Sequence, residues 1–143
     1  FLTGVQMEVG PVATEFEQED INTTLGKCKR YYHKMDAVNG ATVSYAVGQA
    51  YTTDDAWFPV SLSPEMRTTP TLDHGTLSKI QLTDADLSGE AIGGLSIHTG
   101  SSNERNVALN AVNITGDVLT AGDSSVIFAA DDVASYIAFL ADI

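Results

Sequence analysis

The sequence predicts an all-β fold, an antiparallel β-sandwich of jelly-roll type with at most one short helix near the N-terminal end. After Met35 the chain consists of short segments rich in β-branched and aromatic residues, such as ATVSYAVGQAY and SSVIFAA. Turn residues, chiefly Gly, Asp and Ser, separate these segments at near-regular spacing. Helical periodicity is confined to one short stretch before Met35.

The N-terminal segment combines a strand and a linker. Val5, Met7 and Val9 alternate with Gly and polar residues, which predicts a half-buried strand that ends at Gly10-Pro11. The following stretch, VATEFEQEDINTT, is polar and acidic and indicates a linker.

A short helix is expected around the only cysteine. Residues at spacings of four, three and four indicate helical periodicity: Ile21, Leu25, Cys28 and Tyr32. The helix would begin near Asn22 and run toward Cys28. We expect Cys28 to be buried, because free cysteine is among the most buried residue types.

The charge of the chain argues against nucleic acid as a partner. Its formal net charge is -12, with 7 basic and 19 acidic residues. Four of the seven basic residues lie in GKCKRYYHKM, just after the acidic EFEQED. Neutralising phosphates usually takes a broad basic face, so we expect no nucleic-acid binding. No apolar run is long enough to span a bilayer, so we expect no membrane insertion.

No arrangement of residues indicates catalysis, a metal or another cofactor. Cys28 cannot form an internal disulfide, and no catalytic motif surrounds it or His33. His33, His74 and His98 lie on separate segments without the spacing of a zinc site. The acidic turns TTDDAW and TDADL do not match a calcium-binding loop. The sequence therefore predicts a protein that is not an enzyme and needs no cofactor.

Three aromatic residues form a candidate platform for a glycan: Tyr45, Tyr51 and Trp57. Flat aromatic rings bury the apolar faces of sugars well. The alternative, which the usual burial of large rings favours, is that Trp57 packs in the core beside Phe58.

Four blocks of the sequence resemble fibre and virion proteins of tailed bacteriophages. In chain order they are TGVQMEVGPVATEFE, GKCKRYYHK, FPVSLSPEMRTTPTL and SYIAFLADI. The corresponding patterns of that family are GVQLEVGS-ATPFE, ELALCQRYY, FPVPMRAAPTVT and YIAFDAEL. This chain departs from them at Pro11, which replaces a Ser, at Lys29, which replaces a Gln, and in residues 140–143. The residues that carry the resemblance are Gln6, Glu8, Cys28, Arg30, Tyr31, Tyr32, Phe58, Met66, Arg67, Pro70 and Phe139.

The resemblance implies a C-terminal virion domain, residues 26–143, attached to an upstream β-domain whose last strand and linker are residues 1–25. It also implies a homotrimer, contact with other virion proteins and a place on the particle surface, in a tail fibre or on the head exterior. It further implies that the basic and aromatic cluster is structural. Arg30 would pair with a neighbouring carboxylate, while Cys28 and one tyrosine would pack inside.

These observations favour a non-enzymatic virion structural protein: a tail fibre, spike or capsid-decoration subunit that contributes to host attachment. Two alternatives stay open. One is a glycan-binding module of a receptor-binding protein, with a host surface glycan as its partner. The other is a non-catalytic part of a polysaccharide depolymerase.

A homotrimer is also expected because two segments, SVIFAA and YIAFLA, are apolar at consecutive positions. A strand that is covered on one side needs apolar residues only at alternate positions. Consecutive apolar residues therefore predict that both faces are buried. Some of these strands should lie near the outside of a single chain and need a partner for the second face. The candidates for core or interface are Val126, Phe128, Ile137 and Phe139.

Overall fold

The structure, a computed structural model, describes Val5, Met7 and residues 9–12, 14–15, 18–37, 42–84, 89–113, 119–130 and 134–142. Within these residues the chain forms one helix, α1 (Ile21–Lys29), and nine strands. The strands are β1 (Tyr32–Asp36), β2 (Ser44–Ala50), β3 (Asp55–Ser61), β4 (Thr71–His74), β5 (Ile80–Thr83), β6 (Glu90–Ile97), β7 (Asn106–Asn113), β8 (Ser124–Ala129) and β9 (Tyr136–Leu140). The prediction of a mostly β chain with one short helix is confirmed.

Six strands close into an antiparallel barrel with the order β2-β3-β7-β6-β5-β8. The barrel closes because β8 pairs with β2 on one side and with β5 on the other. On β3, alternate residues point inward, and these are Ala56, Phe58 and Val60. The fold is not clearly the jelly-roll sandwich that the sequence predicts, because these strands form one closed sheet and not two sheets packed face to face.

The other three strands form a small antiparallel sheet with the order β1-β9-β4. Phe139, near the centre of this sheet, lies opposite His33 on β1 and opposite Leu72 on β4. Phe139 and Ile137 are buried in the same hydrophobic cluster as the barrel residue Phe58. One core therefore joins the small sheet to the barrel.

Strand β9 is buried on both of its faces within a single chain. Ile137, Ala138 and Phe139 have no exposed surface. Ala138 faces away from the core, and it lies between Lys34 of β1 and Asp73 of β4 in the register of the sheet. The consecutive apolar residues of YIAFLA therefore need no partner chain for their burial.

The outer face of β8 is only partly covered. Val126 and Phe128 are half-buried, whereas Ile127 between them is buried inside the barrel. Val47, directly opposite Val126 on β2, is 61% exposed. The argument for a partner chain thus applies to β8 and not to β9.

Helix α1 forms close to where the sequence predicts it. Asp20 caps its N-terminus, since its Oδ2 accepts hydrogen bonds from the backbone N–H groups of Asn22 and Thr23 at 2.9 and 3.3 Å. No residue of α1 is buried. The helix crosses the domain boundary between residues 25 and 26, and this division stays a prediction.

The described residues before α1 do not form the half-buried strand that the alternation predicts. Val5, Met7 and Val9 lie outside any strand and are exposed. Gln6 and Glu8 lie outside the described residues. Alternation alone therefore did not determine burial here, because in this chain no described surface covers the apolar side of the segment.

Candidate functional site

Three of the four blocks that carry the phage resemblance meet in the structure. GKCKRYYHK leads into β1, FPVSLSPEMRTTPTL runs from β3 into β4, and SYIAFLADI contains β9. Three blocks that are far apart in the sequence thus build one sheet, β1-β9-β4. Further hydrogen bonds join them: Arg67 N donates to Arg30 O at 2.8 Å, and Ala141 N donates to Tyr31 O at 2.9 Å. The Arg67 guanidinium also lies over the Tyr31 ring, 5.8 Å from its centre.

Several residues of this signature belong to the core. Phe58 and Phe139 have no exposed surface, Met66 is 1% exposed, and Pro70 is buried. Met66 N also donates a hydrogen bond to Glu104 O at 2.9 Å, which ties the loop between β3 and β4 to the segment before β7. These residues therefore act in packing within a single chain.

The basic and aromatic part of the signature lies at the surface, and two predictions about it are wrong. Cys28 is exposed, and Tyr31 and Tyr32 are 40% and 46% exposed, so neither the thiol nor a tyrosine packs inside. Arg30 forms no ion pair with any carboxylate that the structure describes, and its pairing with a neighbouring carboxylate stays a prediction. The physical reason is that α1 lies on the surface and has no buried face.

We expect the Cys28 thiol to react readily in the native protein. An aromatic disulfide reagent should label it at a rate within about threefold of the rate in denaturant, because no structure covers it. Cys28→Ser should change the free energy of unfolding by less than about 0.5 kcal/mol, since no packing is lost. A native labelling rate about a hundredfold slower than in denaturant would contradict the exposed position.

His33 lies on the inner side of the small sheet, opposite Phe139. The side chain is half-buried, and its Nδ1 atom has no hydrogen-bond partner among the described residues. Burial lowers the pKa of His33 below its usual value, and the charge of Lys29 lowers the pKa further. His33 is therefore neutral in the folded chain at pH 7.

Stability should fall on acidification, partly through His33. Unfolded histidine titrates near about pH 6.5, and the folded pKa is lower, so the unfolded state binds the proton first. The contribution of His33 to the free energy of unfolding is complete above about pH 6.5 and is lost as the pH falls through the folded pKa. Urea unfolding at neutral pH and at about pH 5 measures how much free energy of unfolding is lost on acidification. This loss should be smaller for His33→Gln than for the parent. Equal losses in the two chains would disprove a role for this imidazole.

Tyr51 and Trp57 form a stacked pair on the outside of the barrel. Their ring centres are 5.0 Å apart and their planes differ by 10°. The His98 ring contacts Trp57 as well, with centres 4.9 Å apart and planes that differ by 39°. Because Tyr51 is 66% and Trp57 36% exposed, the alternative in which Trp57 packs in the core is wrong. Two of the three residues of the predicted platform therefore lie together.

Tyr45, the third predicted residue, is not part of this group. It is 9% exposed, and its hydroxyl lies 2.8 Å from Ser135 Oγ. Burial raises the pKa of Tyr45 above its usual value, so the hydroxyl stays protonated. A β-bulge between Ser44 and Ala46 reverses the alternation of β2, so that Tyr45 points inward while Val47 points outward.

Polar side chains lie beside Trp57 on the neighbouring strands of the barrel. Gln49 on β2 and Asn110 on β7 lie directly opposite Trp57, and Ser96 on β6 lies opposite Asn110. We call these four residues the indole row. The Oδ1 atom of Asn110 and the Nδ1 atom of His98 are buried and have no hydrogen-bond partner in the described part of the chain. Asn110 of the row and the neighbouring His98 therefore each have a polar atom that no described residue pairs with.

Backbone hydrogen bonds fix the two ends of the aromatic group. In the turn between β2 and β3, Tyr51 N donates to Asp55 O at 2.8 Å. At the other end, His98 N donates to Ala108 O at 2.8 Å, and His98 O accepts from Ser102 Oγ at 2.8 Å. Hydrogen bonds within the chain thus hold the backbone at both ends of the aromatic group.

Other kinds of site are not found where the structure describes the chain. No group of three or more His, Cys, Asp or Glu side chains there is placed to hold a metal ion. None of the described helices is long and apolar enough to cross a membrane. A surface depression is lined by Leu62, Ser63, Glu65 and Arg105, and an ion pair joins Glu65 to Arg105 beside it.

Known proteins offer little similarity to this chain. No protein-family model and no curated protein matches the sequence. Among solved structures, the crystal structure of the Pseudomonas phage phi297 tailspike gp61 is similar over 78% of this chain, with 13% sequence identity and a TM-score of 0.35. The match spans 16% of that tailspike chain. A similarity at this level assigns neither the fold nor the function.

Proposed function

We propose that this protein is a non-enzymatic structural subunit of a tailed-bacteriophage virion: a tail fibre, a spike or a capsid-decoration protein. The observation that carries the proposal is the sheet β1-β9-β4, whose strands come from three separate blocks that resemble fibre and virion proteins. Short blocks that resemble a family by chance have no reason to lie side by side. A structural unit shared with that family would place them so.

The distribution of the signature residues supports a structural role over a catalytic one. Phe58, Met66 and Phe139 are core residues, so this part of the signature encodes packing. The net charge of -12 disfavours nucleic acid as a partner. The expected partners are further copies of the chain and other virion proteins at the particle surface, and no cofactor is required.

A homotrimer is part of this proposal, and the patch of Val47, Val126 and Phe128 supports it. Association over this patch would remove apolar surface from water. Native mass measurement of the isolated chain at micromolar concentration tests the point. A stable monomer that binds no hydrophobic dye would refute the trimer, while the virion location would still be open.

The location is tested on intact particles of the phage that encodes the chain. Antibodies raised against the purified chain, viewed by immunogold electron microscopy, should label the head exterior or the tail at regular positions. Detection of the chain in infected cells but not in purified particles would overturn the proposed function. An antibody against a known head protein serves as the positive control.

A further inference from the structure

The aromatic group on the barrel leaves one ring face open to solvent. Trp57 has Tyr51 on its β2 side and His98 on its β6 side, so the indole is held between two rings. Tyr51 stands at the end of the stack, nearly parallel to the indole, and is 66% exposed. A fixed, flat and exposed ring face is well suited to cover the apolar C–H face of a pyranose.

An oriented amide lies on the same side of Trp57 as Tyr51, two residues before it in the chain. Gln49 is exposed, and its Nε2 donates to Gly122 O at 2.9 Å, which orients the amide and leaves its oxygen as an acceptor. A sugar hydroxyl can donate a hydrogen bond to this oxygen.

Charge distinguishes the ligands that can stack on a tyrosine. Nucleobases stack as well, but their phosphates would meet a chain with a net charge of -12. Asp54 and Asp55 stand in the turn that follows Tyr51, so an acidic sugar would also be repelled there. A neutral sugar has neither disadvantage.

We therefore propose that Tyr51, which is stacked on Trp57, and Gln49 form a binding site for a neutral carbohydrate. The sugar ring stacks on the open face of Tyr51, and the amide oxygen of Gln49 accepts a hydrogen bond from one of its hydroxyls. This inference goes beyond the virion role and does not depend on it.

The site contains its own reporter, because Trp57 is the only tryptophan of the chain. The full chain is titrated with chitotriose, maltotriose and cellotriose, with sialyllactose as the anionic comparison, and is applied to an array of bacterial surface glycans. We expect a saturable change in tryptophan emission with at least one neutral sugar. Tyr51→Ala should weaken that binding by about tenfold or more, whereas Tyr51→Phe should stay within about threefold of the parent.

Tyr32→Ala is the matched control, since Tyr32 is an exposed tyrosine on the small sheet and should leave sugar binding unchanged. Unfolding midpoints of all variants verify that each is folded. Three results would overturn the proposal. They are no neutral glycan bound in either assay, equal affinity of Tyr51→Ala and the parent, and tighter binding of sialyllactose or of a single-stranded oligonucleotide than of any neutral sugar. None of these results bears on whether the chain is present in virions.

Discussion

Gly48→Ala is expected to destabilise the protein severely, with a loss in the free energy of unfolding on the order of 3 kcal/mol or more. A Cβ atom at position 48 would lie 1.9 Å from the carbonyl oxygen of Trp57 and 2.8 Å from Cδ1 of Phe58. The first neighbour is backbone of the adjacent strand, so relief requires β2 and β3 to separate. Because the barrel is closed, this movement disturbs the pairing of other strands as well. Urea unfolding followed by circular dichroism measures the loss.

Gly26→Ala is the matched control, because it adds the same methyl group in open space. Apart from its chain neighbours and the backbone of the helix itself, no described atom lies within 4 Å of a Cβ at position 26, and the residue is inside α1. Alanine is the better helix former, so this variant should be more stable than the parent by about 0.5–1 kcal/mol. If Gly48→Ala unfolded at the same urea concentration as Gly26→Ala, the close approach of β2 and β3 would be wrong.

Phe139→Ala is expected to lower the free energy of unfolding by about 3–5 kcal/mol. Phe139 has no exposed surface and lies between His33 and Leu72 in the small sheet. Its removal leaves a cavity where the sheet and the barrel share one core. Differential scanning calorimetry should show a large decrease in Tm with one remaining transition.

Tyr32→Ala also removes an aromatic ring from the small sheet, but from an exposed position. Tyr32 is 46% exposed and lies opposite Leu140, next to the pair of His33 and Phe139. Its loss should cost less than about 1 kcal/mol, because little packing is removed. Similar decreases in Tm for the two variants would mean that the small sheet does not share the core of the barrel.

The sequence predicts local features of this fold better than its closure. Strand positions on β2, β3 and β8 follow from β-branched and aromatic residues between turns, and α1 follows from the spacing of its apolar residues. The barrel depends on β8 pairing with both β2 and β5. Such pairings join residues that are distant in sequence, and no local pattern specifies them.

The periodicity of the apolar residues in α1 did not predict their burial correctly. The spacing of Ile21, Leu25 and Cys28 correctly indicates a helical face, yet all three residues are exposed. A pattern shows which side chains share a face of a helix. Whether another element covers that face depends on the rest of the fold.

For the aromatic group, a local signal at Trp57 was available in the sequence. In AWFPV, the apolar residues Ala56, Phe58 and Val60 alternate with Trp57 and Pro59, which indicates that the indole points outward. His98 and Asn110 could not be placed beside Trp57 in this way, because they reach it through the pairings of β3, β7 and β6. Tyr45 was misplaced because a β-bulge reverses the alternation of β2.

Closure of the barrel limits how copies of this chain can join. Every strand of the barrel pairs with a neighbour on both sides, so none has a wholly open edge from which the barrel sheet could continue into a neighbouring molecule. Among the described strands, open edges occur at β1 and β4, and these carry the charged residues Lys34, Asp36 and Asp73. Charges on an edge oppose unwanted strand pairing between molecules. Contacts over the paired strands of the barrel therefore use side chains, whereas β1 and β4 are the described strands with a whole open edge from which a sheet could extend to the next subunit.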